Sequence, residues 1–455
     1  MKIKIPYLPE LIIYNLNKMG YKAYVVGGAV RDSLLGRPVK DWDITTSATP
    51  DQVKEVFSGF KILDTGLKHG TVTIMMDYAM DNSNVCSVEV TTFRVDGDYS
   101  DNRRPDSVDF TDSLYEDLSR RDFTINAMAY NEEEGLIDYF EGQKDLEDKI
   151  IKCVGNSDER FTEDALRMLR AIRFATQLEF DIEHDVLSSI SKNKNLITNI
   201  SNERISLELN KILRAGKPLW IKYLYYMGLL ELIIPELDEC YGVMQNNPYH
   251  IYCVGKHIVE SVLQIEPVLY LRLTMLLHDI GKPKCKTTDE ENIDHFYTHA
   301  KISSEMAVSI LRRLKYDNLT IMKVRDLILY HDAQIEDSRK AVRRWLNKIG
   351  EDMFRDLLKV READIKAQNL DYYQARHDKI ERTKIILEEV LNAQDCFSRK
   401  DLALNGTDLI NMGYHEGKEI GELLDYLLEK VLDNPELNTK EQLIELLKEK
   451  EAIYV

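Results

Sequence analysis

The run Gly27-Gly28-Ala29-Val30-Arg31-Asp32 is followed, nine residues past Asp32, by Asp41-Trp42-Asp43. Ala23–Val26, just ahead of it, reads as a strand. Adjacent glycines after a strand let the backbone approach a ligand closely and leave N–H groups free to cradle phosphate. Arg31 adds a fork of donors for phosphate oxygens. Asp41 and Asp43 stand two apart, so on a strand both carboxylates point to one face. Paired carboxylates on one edge suit two Mg²⁺ ions about 3.5–4 Å apart, the arrangement used for phosphoryl transfer. Glu89, between Val88 and Val90 on another candidate strand, is a candidate third carboxylate. A lone glycine pair is usually a turn and a lone D-x-D a solvated loop. Their order and spacing together make the stretch specific.

Around this stretch the composition is that of a soluble globular protein: 455 residues, 44% hydrophobic and 30% charged. The net charge of −18 argues against a surface coated for nonspecific nucleic-acid binding, while leaving room for a local site. Residues 151–215 carry ten Lys/Arg and ten Asp/Glu, a neutral segment in an acidic chain. The most apolar stretch, 219–237, is broken by Lys222, Glu231 and Pro235, so no membrane helix is expected. The first residues show no apolar leader. Six scattered cysteines without a C-x-x-C pair fit reduced thiols in a cytoplasm.

Thr71–Met75 and residues 85–91 read as further strands, residues 137–140 as another, and 51–57 as a short helix. From about Glu159 onward helical periodicity dominates, so a boundary falls near residue 150. The fold class is therefore α+β. The loop 96–105, DGDYSDNRRP, is polar and contains Arg103 and Arg104.

The G-G-x-V-R-D and D-x-D motifs resemble the head of the class II tRNA nucleotidyltransferase and poly(A) polymerase family, within the polymerase-beta-like nucleotidyltransferases. Arg120-Arg121-Asp122-Phe123-Thr124-Ile125-Asn126-Ala127 is similar to the family's second motif, which implies triphosphate and sugar contacts. Asp138, Gly142 and Asp145-Leu146 resemble the motif joining head to neck, and the polar loop resembles the family's flexible loop. In Glu163-Asp164-Ala165-Leu166-Arg167-Met168-Leu169-Arg170-Ala171-Ile172-Arg173, a single helix would put Asp164, Arg167 and Arg170 along one face. By itself that is most often a surface ion-pair ladder. The resemblance implies instead a protein template for the incoming base. A carboxylate accepts from the exocyclic amine of C or A and a guanidinium donates to the ring nitrogen. U and G put a carbonyl there, and an unpaired buried polar group costs about 1–3 kcal/mol. Glu203-Arg204 reads as a brace.

His278-Asp279-Ile280-Gly281-Lys282, following the apolar run 271–277, resembles the HD superfamily of metal-dependent phosphohydrolases. That resemblance implies His257, His278, Asp279 and Asp332 as ligands of a divalent ion of unspecified identity, with His299 and His331 nearby. Residues 341–369 and 401–421 resemble the body and tail of bacterial class II enzymes.

The resemblance covers almost the whole chain and implies four segments: a nucleotidyltransferase head (1–150), a helical neck (151–215), a helical linker with an HD domain (216–345), and a helical body and tail (346–455). It implies template-independent addition of C, C and A to the 3′ end of tRNA from CTP and ATP. Asp41 and Asp43 would hold Mg²⁺. Gly28, Arg31 and Arg121 would hold the triphosphate, with Arg170 and Arg173 steadying it or the template. Asp164 with Arg167 would select the base. An enzyme adding only the final A beside a CC-adding partner, and a poly(A) polymerase, stay open as rivals. The protein is expected to be a cytoplasmic monomer or homodimer.

Overall fold

A computed structural model describes residues 2–76, 87–97, 99, 102 and 107–452. The chain divides into two compact units, residues 1–235 and 236–455.

The first unit opens with α1 (Tyr7–Lys18), which buries Leu8, Ile12, Ile13 and Leu16 at helical spacing. Strands β1 (Ala23–Val26), β2 (Asp43–Thr46), β3 (Lys61–Gly66), β4 (Thr71–Met75) and β5 (Ser87–Thr92) follow, then β6 (Arg94–Asp96) and β7 (Val108–Phe110), which form a two-stranded sheet. β8 (Met128–Asn131) and β9 (Gly135–Asp138) complete a seven-stranded sheet of order β3-β4-β5-β2-β1-β8-β9. Two of its strands, β3 and β8, are not among those read from the sequence. β8, Met-Ala-Tyr-Asn, contains no β-branched residue. β3 is irregular, its register against β4 shifting between Leu63 and Gly66. Neither carries a period-2 signal.

β2 runs between antiparallel β1 and parallel β5. Ile44 pairs with Val90, which brings Asp43 level with Glu89 one step earlier. On β5, Val88 and Val90 are buried and Glu89 is exposed. The same alternation runs through exposed Asp41, buried Trp42, exposed Asp43 and buried Ile44. Helix α2 (Gly28–Leu34) starts directly after β1, and α3 (Pro50–Val56) is closed by a capping box between Thr49 and Gln52. Beyond α4 (Leu114–Ser119) and α5 (Gly142–Glu147) the unit is helical apart from a short parallel pair of Ile150–Ile151 with Asp181–Ile182: α6 (Ser157–Glu163), α7 (Leu166–Leu178), α8 (His184–Asn193) and α9 (Asn202–Leu213). α7 packs against α9.

The second unit is almost wholly helical. Helix Leu269–Leu277 is apolar nearly all round and buries Leu271, Leu273, Met275, Leu276 and Leu277. Helices Val254–Leu263, Asn318–Tyr330 and Glu351–Lys366 pack around it. Each such side chain stabilises the core by about 1.5–3 kcal/mol. Gly281 is required where this core meets helix His299–Arg313: a Cβ there would lie 2.7 Å from the Ser303 amide nitrogen. A separate cluster around Leu409, Leu427, Val431, Leu443 and Leu447 holds the last helices together. Among the described residues, no helix is long and apolar enough to cross a membrane.

Candidate functional site

At the exposed end of β2, Asp41, Asp43 and Glu89 form an edge of carboxylates. Partial burial and the charge of Glu89 push the Asp43 carboxyl up to about 6, Arg121 opposes this, and Asp41 adds to it. Carboxylates crowded in this way are short of positive charge. Hard oxygen donors open to solvent fit Mg²⁺-like ions, which keep several of their own waters.

Beside this edge, Gly27 takes φ 71°, a conformation that favours glycine. A Cβ at Gly27 would lie 3.2 Å from Arg121 Nη1, so the turn and this arginine share one small space. Arg121 Nη2 donates to Asp117 Oδ2 at 3.3 Å, and its buried Nε has no partner among the described residues. Asp117 is fully buried, accepts from Thr45 Oγ1 at 2.9 Å, and also holds Arg120. It thus ties the arginine pair to the strand that carries Asp43. Arg31 is buried, donates to Asn126 Oδ1 at 2.6 Å and pairs with Asp32 at 2.9 Å. Asp122 accepts from Arg170 Nε at 2.7 Å and from Asn126 Nδ2 at 3.2 Å. Burial alone would raise its pKa, but Arg170 and Arg167 outweigh that and hold it at about 2. Asp122 and Asn126, in the motif whose resemblance implies sugar contacts, are engaged with arginines of the first unit.

The expected single helix through Asp164, Arg167 and Arg170 is broken. α6 ends at Glu163, Asp164 takes extended φ/ψ, and α7 starts at Leu166. Asp164 accepts from the amide of Leu166 at 3.1 Å, which satisfies an orphan donor of that helix start. Its carboxylate pairs with Arg204 Nη2 at 3.0 Å, and Arg167 with Glu163 at 2.5 Å. Arg173 is buried against Glu208 at 2.9 Å, and its guanidinium lies 4.0 Å from the Phe174 ring centre. Burial, then the charge of Arg170, lower the Arg173 pKa to about 10. Arg103 and Arg104 lie outside the described residues.

In the second unit, His257, His278 and Asp364 converge, and His278, Asp279 and His331 converge beside them. His257 Nε2 is 3.0 Å from Asp364 Oδ1, and His278 Nε2 is 3.3 Å from Asp279 Oδ2. Burial alone would raise Asp279 and Asp364. The facing imidazoles, with Lys282 beside Asp279, hold both well below the usual carboxylate range. The expected fourth ligand, Asp332, is in neither converging group; Asp364, on helix Glu351–Lys366, supplies the carboxylate instead. Asp332 lines the adjoining cavity. The sequence hid Asp364 because it lies in the charged run Lys359-Val360-Arg361-Glu362-Ala363-Asp364-Ile365-Lys366, with no histidine to mark it.

Comparison with known proteins matches these regions to families. Residues 23–152 match the Poly A polymerase head domain, 179–241 the probable RNA and SrmB-binding site of polymerase A, and 286–447 the putative tRNA nucleotidyltransferase domain 2. The CCA-adding enzyme of Ligilactobacillus salivarius is 34% identical over 447 residues, spanning 96% of each chain. The chain belongs to the CCA-adding enzymes. A second member, from Geobacillus thermodenitrificans, is 51% identical over 212 residues, 46% of this chain and 50% of that one. The crystal structure of the Bacillus stearothermophilus CCA-adding enzyme in complex with CTP superposes with a TM-score of 0.69 at 28% identity, covering 98% of this chain and 99% of that one.

Asp41, Asp43, Glu89, Asp117 and Arg121 of this CCA-adding enzyme all fall inside the matched head, and Arg204 and Glu208 inside the matched segment after it. Asp117 was not singled out in the sequence. The signal was present: Asp117 stands four residues before Arg121, a spacing at which side chains meet at a helix end. Arg204 was read as a brace, and what it braces is Asp164.

Proposed function

We propose that the protein adds C, C and A to the 3′ end of tRNA, using CTP and ATP and no nucleic-acid template. The observation that carries this reading is the edge formed by Asp41, Asp43 and Glu89 beside the Gly27-Gly28 turn and Arg121. Asp41 and Asp43 are the residues that would hold two Mg²⁺ ions. When bound, these supply Lewis-acid charge to the attacking 3′ oxygen and the departing pyrophosphate.

The chain's own groups do the positioning. The Gly27-Gly28 backbone and Arg121 receive the triphosphate. The buried Arg121 Nε, without a protein partner among the described residues, is a donor available to an anion. Asp117 keeps that guanidinium aimed from the strand of Asp43. Arg31, Arg170 and Arg173 line up across Phe174 and fix the geometry behind the triphosphate. Asp164 and Arg167 read the base by exchanging their present partners, Arg204 and Glu163, for the base edge. Asp164 lies in the break between α6 and α7, its amide donating to Arg160 O and its carbonyl accepting from the Arg167 amide, so the side chain swings from a fixed backbone. The scattered free cysteines fit a reducing cytoplasm.

Three tRNA transcripts, ending before CCA, after C and after CC, test the reading. Each is incubated with the protein, Mg²⁺ and labelled CTP, ATP or both. Growth by C, C and A followed by arrest is the expected result. Addition of A to the CC-ended transcript alone would make this an A-adding enzyme, and unlimited A-tailing a poly(A) polymerase.

A second activity is proposed for the second unit: metal-dependent hydrolysis of a phosphate ester, with His257, His278, Asp279 and Asp364 as ligands of a divalent cation. The convergence of these buried groups favours it. Release of phosphate from a phosphorylated substrate, lost in His278→Ala while nucleotide addition persists, is its test.

A further inference from the structure

Helices Glu351–Lys366 and Tyr373–Asn392 pack against each other in the second unit. Asp364 of the first and Ile380 and Thr383 of the second face the cavity beside the histidine–aspartate cluster. Glu362, His377 and Glu381 stand on the same two helices but are not among the walls of that cavity. One ring nitrogen of His377 and one carboxylate oxygen from each of Glu362 and Glu381 lie within 4.8 Å of one another, and all three side chains are half-buried. Spacing explains the convergence. His377 and Glu381 are four apart on one helix and share a face. Glu362 meets them from the neighbouring helix.

His377 is held in place but not satisfied. Its ring stacks on that of Tyr373, one turn earlier, with centroids 5.0 Å apart and planes at 14°. The stacking fixes where the imidazole nitrogens point. Nδ1 is shut off from solvent and has no hydrogen-bond partner among the described residues. Leaving such an atom unpaired is costly.

The two carboxylates already hold a positive charge between them. Lys384 Nζ is 2.6 Å from Glu362 Oε2 and 2.7 Å from Glu381 Oε1, and Lys366 Nζ is 2.6 Å from Glu362 Oε1. Burial alone would raise the Glu362 carboxyl, but the two lysines outweigh it and hold the group below its ordinary value. It is therefore ionised and ready to ligate. The Lys384 ammonium marks where these acids stabilise a cation, yet it leaves the imidazole out. A divalent ion in its place serves all three groups at once. Lys384 can make way, because its charge rides on a flexible four-carbon stem.

We propose that His377, Glu381 and Glu362 form a divalent-cation site, separate from the histidine–aspartate cluster, from which the metal displaces the Lys384 ammonium. Imidazole suits zinc, copper and nickel, whereas Mg²⁺ and Ca²⁺ take oxygen ligands. The site is one for a first-row transition ion. Three protein ligands leave a position for water. The ion ties the two helices together, and it grips the first of them two residues before Asp364.

The test is equilibrium dialysis of the full-length chain against Zn²⁺, with Mg²⁺ in excess throughout and metal analysis as the readout. Ions at the histidine–aspartate cluster are common to parent and variants and cancel in the difference. The parent should bind one more Zn²⁺ per chain than His377→Ala. Glu381→Gln should weaken that ion at least about tenfold, since even a change in the outer shell of a metal site costs that much. Lys384→Ala should bind it more tightly, because the competing ammonium is gone. Should His377→Ala fail to fold by circular dichroism, His377→Gln takes its place with the same loss expected. Identical isotherms for the parent and the His377 variant would overturn the proposal and leave an ion-pair lattice only. Unchanged or weaker binding in Lys384→Ala would overturn the displacement. Loss of the additional ion as Mg²⁺ is raised would overturn the choice of a transition ion.

Discussion

The two acid-bearing sites of this chain solve opposite problems. In the first unit, Asp41, Asp43 and Glu89 stand on an exposed strand edge, and repulsion among them is left for solvent and a visiting cation to relieve. In the second, Asp279 and Asp364 sit among imidazoles whose outer nitrogens are tied to backbone carbonyls, so donors are oriented before any ion arrives. The difference matches two uses of metal. An ion that enters and leaves with a nucleotide needs an open oxygen edge and retains its waters. An ion meant to stay needs nitrogen donors, burial and a fixed tautomer.

The contrast can be broken most decisively with Asp43→Ala. Nucleotide incorporation should fall by at least about 10³-fold, because one of the two carboxylates proposed to hold the ions is lost, while the far-UV circular dichroism spectrum stays unchanged. Persisting incorporation would mean that the open edge is not the catalytic one. Chelation comes next. EDTA should stop incorporation within mixing time and fresh Mg²⁺ restore it, whereas Mn²⁺ in the second unit should survive desalting. Equal lability of the two would erase the distinction.

A pH series sharpens it further. Asp43 must give up its proton to hold a cation, and its carboxyl is pushed up to about 6. At limiting Mg²⁺, incorporation should therefore decline as pH falls below about 6, approaching tenfold per pH unit. Saturating Mg²⁺ should move the decline to lower pH. The smallest effect is on stability. A carboxylate whose folded pKa is raised destabilises the fold while ionised, so Asp43→Asn should stabilise the first unit at pH 7. The gain is at most about 1 kcal/mol, because the group is open to solvent, and it should vanish below pH 4 in denaturant titrations.

Much of this was legible in the sequence because short motifs carry their geometry with them. Gly27-Gly28 and Asp41-Trp42-Asp43 predicted a turn and a strand edge from local sterics and alternation alone. His278-Asp279 likewise marked its cluster. What escaped was set by distant packing. Glu89 was named as a candidate third carboxylate, but its level beside Asp43 is fixed by the β2–β5 register. Asp364 reaches His257 because helix Glu351–Lys366 packs on helices Val254–Leu263 and Leu269–Leu277. The helix break at Asp164 was concealed by a sequence that scores as one continuous helix, since Ala165 and Leu166 are both good helix formers.

Trp42 has a quieter role with a sharp corollary. Only 7% exposed, it pins the chain between the two acids, so their common direction is a matter of parity. Inserting one residue between Trp42 and Asp43 would keep every chemical group in the head and turn one carboxylate toward the core. Inserting two would restore the facing at a shifted height. The carboxylate edge is thus specified by an odd or even count along the strand as much as by the identity of its acids.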